Sequence, residues 1–183
     1  GGGEPFLKEL AGAIRKYRPD AFLFGEMFFG HNPVLARLDQ GGYGFDVRSH
    51  SDLFDFFKDF MLKRTEEIDL WVLRNAVRNP WQWGELPRVL YATTHDEAAN
   101  GRGGATGQYI ASLLQGGGWD YVVWKTKVFG ALAMVAGHAY LDMPQMRLLQ
   151  EGNFGMKPEI DWRVLRYPSQ AGVDRFFADL SRL

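Results

Sequence analysis

The sequence predicts a parallel α/β fold with about four strands, and three observations support that prediction. Short apolar runs alternate along the chain with amphipathic stretches of helical period. Residues 21–24 form a continuous apolar run, which is typical of a strand buried on both faces of a parallel sheet. Two apolar runs end abruptly in acidic or imidazole side chains, at Glu26 and at His95-Asp96. Parallel folds often place their chemistry at such strand ends.

The first predicted helix covers residues 4–18 and ends at Pro19. Its apolar residues recur at helical spacing: Phe6, Leu7, Leu10, Ile14 and Tyr17. Residues 21–24 then predict the first strand, and residues 43–47 predict a short second strand after a glycine-containing loop. A further helix begins near residue 52. Its apolar face carries Leu53, Phe56, Phe57 and Phe60.

The second half of the chain continues the alternation. Residues 66–78 predict a helix that ends before Pro80, and residues 88–92 predict the third strand. A glycine-rich stretch at 101–118 predicts a surface loop with a short helix inside it. The last predicted elements are a largely apolar helix at 119–136, a strand at 139–143 that Pro144 ends, and a helix at 172–183.

Composition and charge exclude several classes of protein. The formal net charge is -1 and no long run of lysine or arginine occurs, which argues against nucleic acid or an anionic membrane as the main partner. No apolar stretch reaches the roughly 20 residues that span a bilayer. The absence of cysteine excludes disulfides and thiolate metal sites, and it is compatible with a reducing compartment. We therefore expect a cytoplasmic protein.

The number of predicted strands indicates half of a (β/α)8 barrel. A closed barrel of this type has eight strands in roughly 250 residues, whereas the 183 residues here supply about four. The chain starts at Gly1 without an initiator methionine or a signal-peptide pattern. We expect it to be a piece of a longer protein.

Glu26 is the first candidate catalytic residue. It follows Gly25 at the end of the first predicted strand, among Phe24, Met27 and Phe28. Apolar surroundings favour the protonated carboxyl group, which a general acid near neutral pH requires. The alternative interpretation is a solvated glutamate at a strand end.

His95 and Asp96 are the second candidate pair, after Thr93-Thr94 at the end of the third predicted strand. An imidazole donates hydrogen bonds well to sugar hydroxyls. A carboxylate can stabilise a cationic transition state or hold two hydroxyls, as glycoside chemistry requires. The alternative is a local hydrogen-bonded turn.

Several motifs together resemble glycogen branching enzymes of the α-amylase superfamily. Residues 95–102, His-Asp-Glu-Ala-Ala-Asn-Gly-Arg, resemble the family's His-Asp-Glu-Val-Val-His-Gly-Lys on the seventh barrel strand. Residues 24–26 resemble the fifth-strand motif, and residues 44–46 match a segment near the sixth strand. Residues 160–165 and 172–183 resemble the run after the eighth strand and the helix that follows it. The motifs occur in the family's order over nearly the whole chain.

The resemblance implies a role for each candidate residue. Residues 1–183 would form strands five to eight of the catalytic barrel, with the N-terminal half absent. Glu26 would be the general acid/base, and Asp96 would distort and stabilise the sugar. His95 and Glu97 would bind an α-glucan such as glycogen, starch or maltodextrin. No cofactor and no catalytic metal are implied.

Three further tryptophan and aspartate positions carry expectations. Trp81 and Trp83 lie in a proline-bounded loop and are candidates for stacking on glucose rings. Asp142 lies inside the last predicted strand, where a charge must find a partner, so we expect it at the active-site rim or paired with an arginine.

The resembled family also uses a nucleophile that this chain lacks. That residue is an aspartate in a Gly-Phe-Arg-x-Asp type of motif on the fourth strand, and no such motif occurs here. A retaining mechanism needs two carboxyl groups about 5–5.5 Å apart. We therefore expect the chain to be inactive without the missing N-terminal half of the barrel.

The motifs leave two alternatives to branching. Water and a sugar hydroxyl use the same catalytic residues, so an α-amylase-type hydrolase of starch or maltodextrin is the nearest one. The other is a non-catalytic relative in which the barrel binds glycans.

Overall fold

A computed structural model of the chain describes the following residues: 3–26, 34–49, 51–78, 88–95, 98, 107–137 and 139–183. Within the helices and strands, the side chains described exclude those of residues 51–55, 57, 76, 78 and 88.

Four parallel strands form one sheet, and their order in the sheet is their order in the chain. They are β1 (Phe24–Gly25), β2 (Val47–Ser49), β3 (Arg88–Leu90) and β4 (Ala139–Tyr140). The register pairs Gly25 with Arg48, Ser49 with Val89, and Leu90 with Tyr140. The parallel pairing of all four strands, with α-helices in the connections that follow β2 and β3, confirms the predicted α/β class and is consistent with part of a (β/α)8 barrel.

Seven α-helices lie within the described residues. They are α1 (Gly3–Tyr17), α2 (Ser51–Leu62), α3 (Leu70–Arg78), α4 (Ile110–Leu113), α5 (Trp119–Ala136), α6 (Pro144–Arg147) and α7 (Pro168–Leu180). Short 3-10 turns cover Leu38–Gln40, Thr65–Glu67, Gln115–Gly117 and Trp162–Arg166. None of these helices is long and apolar enough to cross a membrane.

Most predicted boundaries shift by a few residues, and local hydrogen bonds explain two of the larger shifts. The helix predicted to start at residue 66 begins at Leu70, because Asp69 Oδ1 accepts hydrogen bonds from the amides of Trp71 (2.8 Å) and Val72 (3.2 Å). The last helix begins at Pro168 and not at residue 172, since proline is favoured in a first helical turn. The predicted bounds of α5 are confirmed.

The core forms where α5 packs against α7 and the sheet. Phe129 on α5 and Phe177 on α7 are both about 2% exposed. Gly130 permits this contact, because a Cβ atom at this position would lie 2.2 Å from the Phe177 ring. The fully buried Lys125 donates a hydrogen bond of 2.8 Å to the carbonyl of Lys63. Burial of its charge is thus compensated by the end of α2.

The predicted apolar face of α1 is only partly buried. Ala11 is fully enclosed, but Phe6 and Tyr17 are 62% and 78% exposed, and Leu10 is 40% exposed. Within the described residues β1 pairs with β2 alone, so β1 is an edge strand of the described sheet. The exposed apolar residues of α1 extend from Phe6 to Tyr17, along most of the helix.

Candidate functional site

The candidate residues that the structure describes lie along one edge of the sheet. Glu26 directly follows β1, His95 lies five residues beyond β3, and Asp142 lies two residues beyond β4. Because all four strands are parallel, these positions are on the carboxyl side of the sheet. β2 lies between β1 and β3, so the strands that precede Glu26 and His95 are roughly 10 Å apart, or two inter-strand spacings.

A pocket of about 270 Å³ lies between the segments that follow β3 and β4. Its polar lining comprises Thr93, Thr94, His95, Asp142 and Gln145. Its apolar lining comprises Leu141, Met143, Pro144 and Phe154. A few polar groups converging on an apolar wall are typical of small-molecule sites, although this volume is just below their usual range of about 300–1,000 Å³. We call it the edge pocket.

His95 is exposed at the mouth of the edge pocket. Its ring centroid lies 5.8 Å from that of Phe154, with an angle of 57° between the ring planes. The amide of Phe154 donates a hydrogen bond of 3.2 Å to the carbonyl of Ala98, just after the predicted His95-Asp96-Glu97 motif. The segments after β3 and β4 are thus held together beside the edge pocket by contacts of Phe154.

Asp142 has the arginine partner that the sequence predicts. Its Oδ2 accepts a hydrogen bond of 2.9 Å from Nη1 of Arg147, whose Nη2 donates to Oδ1 of Asp174 at 2.6 Å. Partial burial of Arg147 disfavours its charged form and so lowers its pKa. The carboxylates of Asp142 and Asp174 outweigh this effect and raise the pKa of Arg147 above its ordinary value. Arg147 therefore joins the strand end to α7 through a three-residue ionic network.

Three buried polar atoms in and beside this network form no hydrogen bond of regular geometry with a described residue. They are Oδ1 of Asp142, Nε of Arg147 and the hydroxyl of Tyr140. Burial, together with the nearby Asp142 carboxylate, raises the pKa of Tyr140 well above its ordinary value, so the phenol stays protonated. The protonated hydroxyl of Tyr140 and the carboxylate of Asp142 thus interact at the end of β4.

Glu26 is exposed in the structure. Phe24, which was expected to help enclose it, is itself 37% exposed. Met27 and Phe28 lie outside the described residues. Gly25 is buried, and a Cβ atom there would lie 2.9 Å from Cγ1 of Val34. The glycine before Glu26 is thus required by close packing beneath the strand end.

Four predicted site residues lie outside the described residues: Trp81, Trp83, Asp96 and Glu97. Their assignments stay predictions. Among the described residues, no group of three or more histidine, aspartate or glutamate side chains is placed to hold a metal ion.

Phe154 and Arg147 were not among the candidate site residues predicted from the sequence. Phe154 belongs to an irregular segment that has no periodicity to interpret, so only the folded structure places it against His95. Arg147 could have been found, because it lies five residues beyond Asp142 in a segment that begins with a helix-initiating proline.

The fold and the edge pocket define an α/β unit of the (β/α)8 type, with its polar groups on the carboxyl side of the sheet. No protein-family model matches the chain. The chain is similar over 97% of its length to 1,4-alpha-glucan branching enzymes, with 22% identity to that of Oceanobacillus iheyensis, 25% to that of Cereibacter sphaeroides and 24% to that of Aquifex aeolicus. The resemblance predicted from the motifs is thereby confirmed.

The similarity covers only part of each relative. The chain spans 27% of the Oceanobacillus iheyensis and Aquifex aeolicus enzymes and 23% of the Cereibacter sphaeroides enzyme. It therefore corresponds to about a quarter of the length of the relatives it matches.

Proposed function

We propose that the chain is the second half of the catalytic barrel of a glucan branching enzyme, containing strands five to eight. The observation that carries the proposal is the similarity to these enzymes along 97% of the chain. The position of Glu26 and His95 on the carboxyl side of a parallel sheet supports it, since barrel enzymes carry their catalytic groups there.

The proposed reaction is transfer of an α-1,4-glucan chain to a 6-hydroxyl. Glu26 donates its proton to the 4-oxygen of the leaving sugar while a carboxylate from the other half of the barrel attacks C1, and the C1–O4 bond breaks. In the second step Glu26 removes the proton of the acceptor 6-hydroxyl, and the oxygen of that hydroxyl displaces the enzyme carboxylate at C1. The exposed position of Glu26 leaves it accessible to both sugars.

The remaining candidate residues would hold the substrate. His95 at the mouth of the edge pocket donates to sugar hydroxyls, and Asp96 and Glu97 accept hydrogen bonds from them. Asp96 also stabilises the positive charge that develops on the sugar ring during cleavage. Trp81 and Trp83 stack on neighbouring glucose units.

The exposed face of α1 supports the half-barrel assignment. Phe6, Leu10 and Tyr17 present apolar area on one face of α1, and the outer side of β1 is unpaired within the described residues. In the proposed barrel this face and this strand edge contact the preceding strands and helices. Contact with another part of a longer protein would bury both.

Hydrolysis of α-1,4-glucans is the second candidate function. The observation that favours it is the exposure of Glu26, because a carboxylate open to solvent activates water as readily as a sugar hydroxyl.

Incubation of amylose with the protein that contains this chain tests the proposal. New α-1,6 branch points, counted after enzymatic debranching, are expected to increase without an equal increase in reducing ends. Reducing ends alone would assign the protein to hydrolysis. No change in either quantity would contradict both candidate functions.

A further inference from the structure

We propose that Phe154 is a positioning residue for His95, because its ring and its backbone amide together hold the imidazole at the mouth of the edge pocket. The contact between the two residues is a feature of the described structure, whereas the substrate that His95 meets there rests on the proposed function. Phe154 comes from the segment after β4 and His95 from the segment after β3. Phe154 thus adds to the candidate site a residue outside the motifs that indicated Glu26 and His95.

The rings of Phe154 and His95 form an aromatic pair. Their centroids lie 5.8 Å apart and their planes are inclined by 57°, within the range in which tilted aromatic rings attract each other. Phe154 is half-buried and lines the edge pocket beside the exposed His95. Contact with a fixed ring reduces the number of rotamers that an exposed side chain samples. The pair therefore favours one orientation of the imidazole.

Phe154 also holds the backbone turn that carries His95. The amide of Ala98 donates a hydrogen bond of 3.0 Å to the carbonyl of Thr94, which closes one turn of backbone around His95. The carbonyl of the fully buried Ala98 accepts a hydrogen bond of 3.2 Å from the amide of Phe154. One residue therefore contacts both the imidazole and the turn from which the imidazole projects.

The segment that contains this phenylalanine is anchored to α4. The amide of Tyr109 donates a hydrogen bond of 2.8 Å to the carbonyl of Gly152, and the amide of Gly152 donates one of 2.7 Å to Oγ of Ser112. Oδ1 of Asn153 accepts a hydrogen bond of 2.8 Å from the amide of Met156 and so closes a tight turn. The phenylalanine is thus held by hydrogen bonds on both sides of it, as a residue that positions another must be.

A held imidazole binds a hydroxyl group better than a mobile one does. The hydrogen bond from His95 to a sugar hydroxyl is directional, and an imidazole already held beside the edge pocket loses less entropy when the substrate arrives. Phe154 touches no reacting atom in this arrangement and acts through His95. Loss of the Phe154 ring should therefore impair the reaction only while His95 is present.

A double-mutant cycle in the protein that contains this chain tests the positioning role. Phe154→Leu keeps an apolar side chain and the backbone amide, and its kcat/KM on amylose should fall about fivefold, within the range that an aromatic pair contributes. Phe154→Tyr retains the ring and should stay within about twofold of the parent. In a His95→Ala background, Phe154→Leu should cause no further loss. An equal loss in both backgrounds would overturn the inference, because Phe154 would then act independently of His95.

NMR spectroscopy of the His95 side chain tests the same role without any activity. The parent should show nuclear Overhauser contacts between the rings of His95 and Phe154, and three-bond couplings of a single His95 χ1 rotamer. Phe154→Leu should give couplings averaged over several rotamers. Averaged couplings already in the parent, or couplings that Phe154→Leu leaves unchanged, would overturn the inference.

A matched control and the activity assay separate this inference from the proposed function. Phe176→Leu removes a ring of the same size from an aromatic pair on α7, whose centroids lie 5.5 Å apart, and should leave the His95 couplings unchanged. Circular dichroism establishes that each variant is folded. A His95 rotamer that depends on Phe154, in a protein that neither branches nor hydrolyses glucan, would refute the proposed function and leave the positioning role established.

Discussion

Arg15 and Asp46 connect the first helix to the second strand. Nη2 of Arg15 lies 2.7 and 2.6 Å from the two carboxylate oxygens of Asp46, and Nη1 donates to the carbonyl of Ala21 at 2.6 Å. The amide of Leu23 also donates to Asp46, at 2.6 Å. Asp46 precedes β2 and so lies on the amino side of the sheet, away from the candidate site. The Gly44-Phe45-Asp46 segment of the family resemblance thus has a structural role here.

Replacement of Asp46 by alanine should destabilise the chain. The variant removes the acceptor of both Arg15 and the Leu23 amide, and we expect a loss of about 1–2 kcal/mol in the free energy of unfolding. Chemical denaturation measures this loss. Asp39→Ala is the matched control, because its pair with Arg37 is exposed on both sides and should contribute no more than about 0.5 kcal/mol. Equal losses in the two variants would contradict a structural role for Asp46.

Replacement of Gly130 by alanine should separate α5 from α7. The new methyl group would overlap the Phe177 ring, which is itself buried, so we expect a loss of about 1–3 kcal/mol. Gly172→Ala is the opposite case, since a Cβ atom there has no neighbour within 4 Å and α7 gains helix propensity of up to about 1 kcal/mol. Thermal unfolding of both variants should therefore move in opposite directions. A stabilised Gly130→Ala variant would show that the helices can shift apart without cost.

Replacement of Glu26 by glutamine should impair catalysis in the protein that contains this chain. The amide keeps the size of the side chain but neither donates nor accepts the proton in transfer, and we expect a loss of at least about 10²-fold in rate. Donors with an activated leaving group need little protonation and should lose less in the first step. Glu9→Gln on the exposed side of α1 is the control. Unchanged turnover of an ordinary glucan by Glu26→Gln would remove Glu26 from the mechanism.

The ion pair between Asp161 and Arg163 should persist to a lower pH than an unpaired carboxylate allows. The hydrogen bond from Arg163 lowers the pKa of Asp161 below its ordinary value of about 3.9. A carboxyl group with a lowered pKa contributes stability above its ordinary value and loses that contribution as the pH falls through the lowered value. NMR titration of the Asp161 carboxyl carbon should therefore give a midpoint below about 3.9.

Replacement of Arg163 by alanine is the control for this titration. Arg163→Ala should return the midpoint of Asp161 towards its ordinary value, whereas Arg182→Ala, which removes the partner of Asp179, should leave it unchanged. A midpoint of Asp161 that is the same in the parent and in Arg163→Ala would refute the assigned cause.

The isolated chain should associate through its first helix and first strand. Residues 1–183 alone are expected to dimerise, to aggregate or to bind an added N-terminal half of the barrel, and to show no glucan cleavage. Sedimentation measures the association, and Tyr17→Glu should weaken it by placing a charge on the exposed face of α1. Trp71→Glu, on α3, is the control. A monomer that unfolds cooperatively at high concentration would indicate that the chain is a complete domain.

Sequence periodicity was sufficient for the class of fold and for the bounds of α5. α5 was predicted with its observed bounds, because a largely apolar helix between glycines has clear ends. β3 and β4 were predicted longer than they are, since apolar residues continue past the last paired residue into buried segments such as Tyr91-Ala92. β1 and β2 were predicted at residues 21–24 and 43–47, too early in the chain. An apolar run indicates that its residues are buried, and buried residues continue beyond the last residue that pairs in the sheet.

The candidate site was predicted where polar residues follow an apolar run. Glu26 and His95 were proposed in this way, and Asp142 was expected at the active-site rim or paired with an arginine. The position of Phe154 depends on residues 149–163, which contain no regular period and fold around the side chain of Gln150. These contacts are side-chain hydrogen bonds to the backbone of residues several positions away, and local sequence patterns do not predict them.

The buried side-chain amides of Gln145 and Gln150 determine how residues 157–161 tolerate sequence change. The backbone of residues 157–160 is held by two side chains from outside the segment, whereas Asp161 also caps the following 3-10 turn by accepting a hydrogen bond from the amide of Arg163. Substitutions at Glu159 or Trp162 would change the side chains that this surface presents, while the backbone keeps its conformation. A change at either glutamine would alter the path itself. This segment can therefore change in sequence one side chain at a time, provided that Gln145 and Gln150 stay constant.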